Sequence, residues 1–597
     1  MSQFVSKLLY LTKGHHKSLL LIAFLLLIIS GLEVVGTGMI GPFITVATNP
    51  DIIKSNYWLG LIHNRLNFVS EQYFLIVLGV VVLIAFFIKA FLSFEAQKAV
   101  FQFSHTLRGD LCNKLLKTYL EAPYSFHLRM NSATIIQNVI TTTEIVCINV
   151  VMALLTAFSN GFIILALTLL LIKTSALAML QIALLLPVLI GLVKLLKSRL
   201  AFWAQEGWSA SKEIIRILNH GLGGLKETRV IGCESYFVQQ MEQQTNRLAK
   251  NFSLNASYGN LPRFVIEAFM ITFLVSFTLL YVNLNQGQGQ DLTAVLGIFG
   301  LASIRLLPAI SNLIGNINTF RPNAFAIDKL FFDFQEIEKS KNLSITGIDC
   351  RGKSLSSSSN ALPLAEWKQI VLDKITFQYP DTERKALDEI SLTIKKGQSI
   401  GLIGKSGSGK TTLVDVILGL FIPQFGDIKV DGVSVYEDLR AWQNMLGYVP
   451  QSIFLIDDTV ERNIAFGVPD CFIDLDRLRR AVEIAQLSEV VEQLPDGIKT
   501  VVGERGVLLS GGQRQRIGIA RALYHGRDIL VFDEATAALD TETEQLVTEV
   551  TKGLSGNKTI VIIAHRLKTI EHCDRIYQLD RGRILKSGTY QEVVLGQ

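Results

Sequence analysis

The chain has 597 residues, of which 49% are hydrophobic and only 18% charged. At about 150 residues per domain this length calls for three or four units, and a mean hydropathy of +0.36 excludes a disordered chain and a collagen-like or disulfide scaffold. A net charge of +5 is slight for the length and gives no nucleic-acid signal.

The apolar residues are bunched, which argues against a wholly soluble enzyme. Runs fall at Leu19–Phe43, Tyr73–Phe94, Ile145–Ile172, Ala176–Leu196, Phe264–Val282 and Leu292–Ile314. Each is near the ~20 residues that cross about 30 Å of hydrocarbon, so six transmembrane helices are predicted. Met1 to Lys17 is polar and basic, and the run after it is too long for a signal-peptide core and lacks a small-residue cleavage site, so it is read as an uncleaved first span. Lys7, Lys13 and Lys17 precede that span. Lys98, Arg108, Lys114, Lys117 and Arg129 lie between the second and third, and nine Lys or Arg lie between the fourth and fifth. Asn283–Asp291 carries no Lys or Arg. Both termini are therefore expected in the cytoplasm.

The segments 95–144 and 197–263 read as polar helices that carry the spans beyond the bilayer. Each breaks once, at Glu121-Ala122-Pro123-Tyr124 and at Gly221-Leu222-Gly223-Gly224. Helical hairpins with a short turn element at the tip are predicted; structureless loops of that length would be unusual. On the external side Trp58, Ile62, Leu66 and Val69 recur at helical spacing, which suits a short amphipathic helix at the outer interface. A polar stretch, Lys339–Leu364, with serines at Ser356, Ser357, Ser358 and Ser359, reads as a connector. Beyond Trp367 short apolar runs alternate with amphipathic helices, an α/β pattern. The expected fold is thus an all-α polytopic membrane domain over 1–335, a linker over 336–366 and an α/β P-loop domain over 367–597. Six dispersed cysteines (Cys112, Cys147, Cys233, Cys350, Cys471, Cys573) form no CxxC pair. Those in the cytosol are expected to be reduced, and no structural metal site is predicted.

Between a strand at Ser399–Ile403 and a helix expected over Thr412–Leu420 lies Gly404-Lys405-Ser406-Gly407-Ser408-Gly409-Lys410-Thr411, which fits G-x-x-x-x-G-K-[ST]. The glycines let backbone N–H groups wrap phosphates at a helix N-terminus. Lys410 would reach the β and γ phosphates, Thr411 would ligate Mg²⁺, and Thr412 follows it in the same turn. Ile529-Leu530-Val531-Phe532-Asp533-Glu534 is an apolar strand ending in two carboxylates. Asp533 would serve Mg²⁺ and Glu534 would act on the attacking water.

Leu509-Ser510-Gly511-Gly512-Gln513, followed by a helix expected from near Arg514, is more specific still. On these residues the chain resembles the ABC ATPase family. Other elements match in order: Tyr379 for adenine stacking, Gln451 beside the nucleotide and Mg²⁺, Asp540 after the second carboxylate, and His565 at the end of the strand Thr559–Ala564, where it would contact the γ-phosphate or attacking water. Six spans and one ATPase domain look like an ABC exporter half-transporter, as does Val502-Gly503-Glu504-Arg505-Gly506 before the signature. The resemblance implies an ATP- and Mg²⁺-dependent translocase with Glu534, His565 and Gln451 at the reacting phosphate. It also implies a signature (Leu509 to Gln513, with Asp540) that acts on nucleotide held by a second, identical chain, and tips near Pro123–Phe126 and Leu222–Arg229 that couple hydrolysis to the spans.

Charges within spans cost about 2.5–3.5 kcal/mol each and need a reason. Glu33, Lys89, Glu267 and Arg305 qualify, with Arg263 at the edge of the fifth span. Lys89 and Arg263 could snorkel to the inner interface, and Arg263 and Glu267, four apart, could neutralise each other. Arg305 lies about 13 residues, or ~20 Å, from the outer end of its span. Leu261-Pro262-Arg263 to Glu267 and Arg305-Leu306-Leu307-Pro308 look like those of bacterial lipid-linked-oligosaccharide flippases, with Lys89 in place of an expected arginine. That resemblance implies a bacterial inner-membrane flippase whose Lys89, Arg263 and Arg305 face an anionic, phosphate- or pyrophosphate-headed amphiphile. The alternatives are an exporter of peptides, drugs or other lipids, an ATP-gated channel, and a regulatory membrane ATPase. A soluble DNA-handling ATPase conflicts with the six spans.

Overall fold

The computed structural model describes residues 2–48, 70–174, 176–284, 290–345, 367–380, 382–503, 506–533, 541–564 and 566–596. The chain divides into two compact units. The first is Met1–Glu121 with Met130–Ile337, and the second is Ala122–Arg129 with Glu338–Gln597.

The first unit is helical apart from short turns among its described residues. The six apolar runs lie in His16–Thr48, Glu71–Leu120, a segment from Ser132 to Thr174, Ala176–Gly223, Glu234–Leu284 and Gln290–Asn323. By length and composition alone, His16–Ile40, Gln72–Leu120 and Thr134–Leu169 are apolar enough to cross a membrane among the described residues. Ser70 starts the second long helix by accepting a hydrogen bond from the Tyr73 N–H at 3.2 Å. Its 50 residues rise ~75 Å, more than twice the hydrocarbon thickness. The chain breaks at the two expected places. Leu120 ends one helix and a short one, Tyr124–Arg129, follows Pro123; Gly223 ends another, and Leu225–Ile231 closes on a left-handed Gly232 (φ 72°).

The third span is not an ordinary α-helix. Asn138–Thr142 and Ile145–Met152 are π-helical before the chain returns to α geometry at Ala153–Thr174. Buried Asn138 on this wider coil donates to Asp333 Oδ2 (2.7 Å) and to the Tyr119 hydroxyl (3.1 Å), while Tyr119 donates to the same carboxylate oxygen at 2.6 Å. Asp333 lies on the helix Phe325–Ile345. The N-terminal helix Ser2–Leu11 packs on that helix through Lys7 and Asp328 (2.7 Å) and through Tyr10 against Phe331 and Phe334.

The second unit holds two sheets. A four-stranded antiparallel sheet runs in the order β2-β1-β4-β5, from β1 (Gln369–Gln378), β2 (Lys385–Lys395), β4 (Phe425–Val430) and β5 (Val433–Ser434). A six-stranded sheet runs β10-β9-β3-β8-β7-β6. It contains β3 (Ser399–Ile403), β6 (Leu446–Val449), β7 (Ile529–Asp533), β8 (Thr559–Ile563), β9 (Arg575–Asp580) and β10 (Arg583–Gly588). β6, β7, β8, β3 and β9 are parallel, and β3, β7 and β8 are buried along their whole length, in keeping with their mostly apolar, Ile-, Leu- and Val-rich sequences. The carboxyl ends of β3, β7 and β8 lie side by side at one edge of the sheet, the position at which such folds bind ligands.

Two boundaries differ from expectation. The helix after the glycine-rich loop begins at Lys410 and stops at Ile417, where Gly419 turns left-handed (φ 68°). The signature helix begins at Gly511, three residues before Arg514, because Ser510 caps it.

Candidate functional site

The loop after β3 turns through three left-handed glycines, Gly404 (φ 152°), Gly407 (φ 75°) and Gly409 (φ 103°). A side chain is excluded at both ends. A Cβ at Gly404 would lie 2.3 Å from the Leu579 carbonyl oxygen, and one at Gly409 would lie 2.8 Å from that of Ala386. Lys405, Ser406 and Gly407 are exposed at the crest, while Ser408 and Lys410 are buried beneath. Lys410 Nζ donates to the Gly404 and Lys405 carbonyls at 2.9 and 3.1 Å, which holds the ammonium inside the loop. Ser408 Oγ is buried and finds no hydrogen-bond partner among the described residues. A cradle of backbone donors around a buried cation fits a polyphosphate.

The remaining pieces converge on the loop. Tyr379 and Thr412, from opposite flanks, hydrogen bond through their hydroxyls at 3.0 Å. The Tyr379 ring meets Phe377 and Phe421 edge-on at 5.2 and 5.5 Å, so one side of the ring is fixed by aromatic packing. Asp533 closes β7, is buried, and accepts a hydrogen bond from the Tyr448 hydroxyl at 3.2 Å. Thr411 and Gln451 are exposed, the latter just beyond β6. Burial pushes Asp415, on the helix that starts at Lys410, up to about 6, with Asp533 adding to the shift. Burial first, and then Asp533, push the Tyr448 hydroxyl up, so it stays a donor. Glu534, Asp540 and His565 lie outside the described residues, as do Glu504 and Arg505.

The signature Leu509 to Gln513 forms a reciprocal cap. Ser510 Oγ accepts from the Gln513 N–H at 3.2 Å, and Gln513 Oε1 accepts from the Ser510 N–H at 2.9 Å. Ser510 and Gly511 are exposed at the N-terminus of a 14-residue helix, where partial positive charge gathers.

In the membrane unit the charges sort differently from the simplest readings. Lys89 does not snorkel: it is buried, with Nζ 2.5 Å from Glu33 Oε2. Arg305 Nε meets Glu33 Oε1 at 3.0 Å, so one carboxylate bridges cations from two other helices. Arg263 and Glu267 are both exposed and form no ion pair with each other among the described residues. Lys89 and Arg305 thus come together around Glu33, and among the described residues no ion pair joins Arg263 to that carboxylate.

Two groups were not singled out from the sequence, and the partners of a third, Glu33, were not foreseen. Tyr448 could have been suspected from its place three residues before Gln451. Asn463 also went unremarked. It is fully buried, donates to the Ile456 and Thr459 carbonyls at 3.0 Å, and accepts from the Ile456 N–H at 3.0 Å and from Arg521 at 3.3 Å.

A phosphate cradle on a parallel sheet, an aspartate ending the next strand but one and a capped signature helix, following a polytopic helical unit, define an ATP-driven membrane exporter. The chain belongs to the ABC transporter family: the model for its transmembrane region matches residues 19–300, and that for the ABC transporter ATPase domain matches residues 387–537. It is an integral membrane half-transporter that binds ATP and couples its hydrolysis to transport. Among its relatives, the ATP-dependent lipid A-core flippase of Ralstonia nicotianae is 34% identical over 489 residues, 81% of this chain and 79% of the relative. The flippase of the same name from Shewanella oneidensis is 29% identical and spans 97% of this chain and 94% of its own length. The structure of a bacterial Atm1-family ABC exporter with ATP bound superposes with a TM-score of 0.69 at 19% identity, covering 98% of this chain and 96% of that one, which shows the fold.

Proposed function

We propose that the protein is a homodimeric flippase of the bacterial inner membrane. It moves an amphiphile with a phosphate- or pyrophosphate-bearing head, a glycolipid or lipid-linked oligosaccharide, from the cytoplasmic to the outer leaflet. The observation that carries the cargo reading is the pair of intramembrane cations, Lys89 and Arg305, brought together on two helices around one carboxylate. Three ionised groups within apolar helices are costly, and function is the usual reason they persist. Two cations against one carboxylate leave a net positive charge, and exposed Arg263 adds another. Guanidinium matches phosphate in a bidentate way. The relatives named lipid A-core flippases support a lipid cargo.

In this reading residues 1–335 form the membrane domain, 336–366 the linker and 367–597 the ATPase domain, with both termini cytoplasmic. Lys410 and the loop Gly404 to Thr411 hold the triphosphate, and Tyr379 stacks on the adenine. Thr411, Asp533 and Gln451 hold Mg²⁺, which offsets charge on the phosphates when bound. Glu534 takes the proton of the attacking water and His565 orients the γ-phosphate. Ser510 and its helix face the nucleotide of the partner chain. Tyr124, in the short helix Tyr124–Arg129, lies 5.6 Å from Phe421, which in turn packs on Tyr379. That aromatic chain supports a coupling role for the first tip.

The test is transport in proteoliposomes. Arg305→Ala and Arg263→Ala should each lower the phosphate-headed glycolipid moved per ATP hydrolysed. Normal transport by both variants, or movement of neutral lipids alone, would refute the cargo assignment.

A further inference from the structure

Glu33 holds both of the intramembrane cations that the proposed function assigns to the cargo. Its two carboxylate oxygens are divided between two cations, Oε2 to Lys89 Nζ at 2.5 Å and Oε1 to Arg305 Nε at 3.0 Å. The three groups come from three helices, His16–Thr48, Glu71–Leu120 and Gln290–Asn323, far apart in sequence. The cluster is nonetheless poorly closed. Neither Lys89 Nζ nor Glu33 Oε1 makes a hydrogen bond of acceptable direction, although Lys89 is only 7% exposed. The ammonium also lies 5.1 Å from the centre of the Phe86 ring, a cation–π contact. Arg305 is engaged through Nε, and its side chain remains 43% exposed. The guanidinium therefore keeps exposed surface while it is engaged, and its planar fork has the shape that grips phosphate. A permanent structural ion cluster would satisfy its hydrogen bonds, because an unsatisfied buried charge is costly.

We infer that the Glu33 carboxylate is a built-in substitute for the anionic head of the cargo, which holds Lys89 and Arg305 between transport cycles and is displaced when a phosphate-headed lipid enters. This rests on the cationic-site reading above and adds a specificity device to it. A dianionic phosphate offers more charge and more acceptor oxygens than one carboxylate and can take both cations. A monoanionic or neutral head group cannot out-compete Glu33, so the carboxylate sets a threshold of charge for entry. Removing a competitor for the same two cations should strengthen binding by a typical coupling factor, roughly tenfold.

The experiment uses the full chain in phosphatidylcholine nanodiscs, with fluorescent phosphatidic acid as the probe and fluorescent diacylglycerol as its neutral control. Glu33→Gln should bind phosphatidic acid about tenfold more tightly than the unmodified chain, Glu33→Asp should bind it much as the unmodified chain does, and diacylglycerol binding should change in neither. In the unmodified chain, labelling of Glu33 by dicyclohexylcarbodiimide, read by mass spectrometry, should rise when phosphatidic acid is added, since a carboxyl freed of its cations takes up a proton and reacts. Inorganic phosphate at the same concentration should leave labelling unchanged; a rise with phosphate alone would mean that the site takes the free ion and would overturn the lipid assignment. If Lys89→Ala and Arg305→Ala weaken phosphatidic acid binding while Glu33→Gln fails to strengthen it, or Glu33 labelling does not rise, the substitution idea is wrong and the cationic site stands. If neither alanine variant alters binding, the cationic-site reading itself falls.

Discussion

Replacing Asn463 with alanine tests the tie between the segment after Gln451 and the signature helix. Asn463 is the fully buried centre of that tie. Its amide bonds the Ile456 N–H and carbonyl and the Thr459 carbonyl, each at 3.0 Å, while Arg521 from the signature helix donates to its backbone carbonyl at 2.8 Å and to the Phe454 carbonyl at 3.0 Å. Asn463→Ala keeps the backbone contact but removes three side-chain bonds of good length and the 3.3 Å bond from Arg521. Each buried group left unsatisfied costs about 1–3 kcal/mol, and half-buried Ile456 recovers part of this from water, so a net loss of roughly 2–4 kcal/mol is expected. For a domain of some 230 residues, ~2–4 °C is lost per kcal/mol, and the unfolding midpoint of the ATPase domain should fall by about 5–15 °C. Thermal unfolding of the detergent-solubilised chain measures this. Below the new midpoint, ATP hydrolysis should also respond less to added lipid, because Phe454 and Ile456 are no longer fixed to the helix that carries Ser510. A midpoint shift below ~1 °C would show that the network does not hold this segment, and the reasoning would fail.

Glu534→Gln should retain ATP binding and lose steady-state hydrolysis by roughly 10²–10⁴-fold, the usual worth of a general base; near-normal turnover would remove Glu534 from that role. A mixed dimer with Lys410→Ala in one chain and Ser510→Arg in the other leaves one composite site intact and the other doubly damaged. It should hydrolyse more ATP than either mutant alone, and no gain would count against sites shared between chains. Asp415 should govern a pH effect in the nucleotide-free protein. Its folded value of about 6 lies above the ordinary 3.8, so the folded state holds the extra proton between those values and stability falls as pH rises through that window. Asp415→Asn should therefore raise the unfolding midpoint at pH 7.5, in EDTA, by roughly twice as much as at pH 5, where only about half of the penalty has developed; equal shifts at both would contradict the assignment.

The reach of the sequence follows the range of the forces involved. The phosphate loop was legible because its function needs glycines at fixed short spacing, and the structure shows why: Gly404 and Gly409 each press against a carbonyl that would clash with any side chain. The hairpin breaks were legible for the same reason, since Pro123 and the glycines at 221, 223 and 224 act locally. Where a boundary moved, the cause was also local but weaker. Ser510 and Gln513 cap each other and draw the signature helix back to Gly511, a trade of hydrogen bonds that apolar periodicity does not register. The π-helical stretch at Asn138–Thr142 left no periodic trace, because it widens the coil by one residue in places and carries Asn138 to Asp333, almost two hundred positions away.

Glu33 marks the limit of that legibility and the reason it matters. Taken alone, each intramembrane charge invited its own explanation: snorkelling or cargo for Lys89, cargo for Arg305, nothing definite for Glu33. A reading one residue at a time treats cations as available to a ligand. The fold gives the opposite starting condition, in which both cations already hold a carboxylate and a ligand must compete for them. Affinity for an anionic head is then a difference between two occupied states rather than the strength of two bare charges. Such a difference rejects weakly charged lipids, which surround the protein in great excess, more effectively than it rewards the intended one. A site of bare cations would be filled by any anionic lipid at hand, whereas a site closed by its own carboxylate opens only to a head group with more charge to offer.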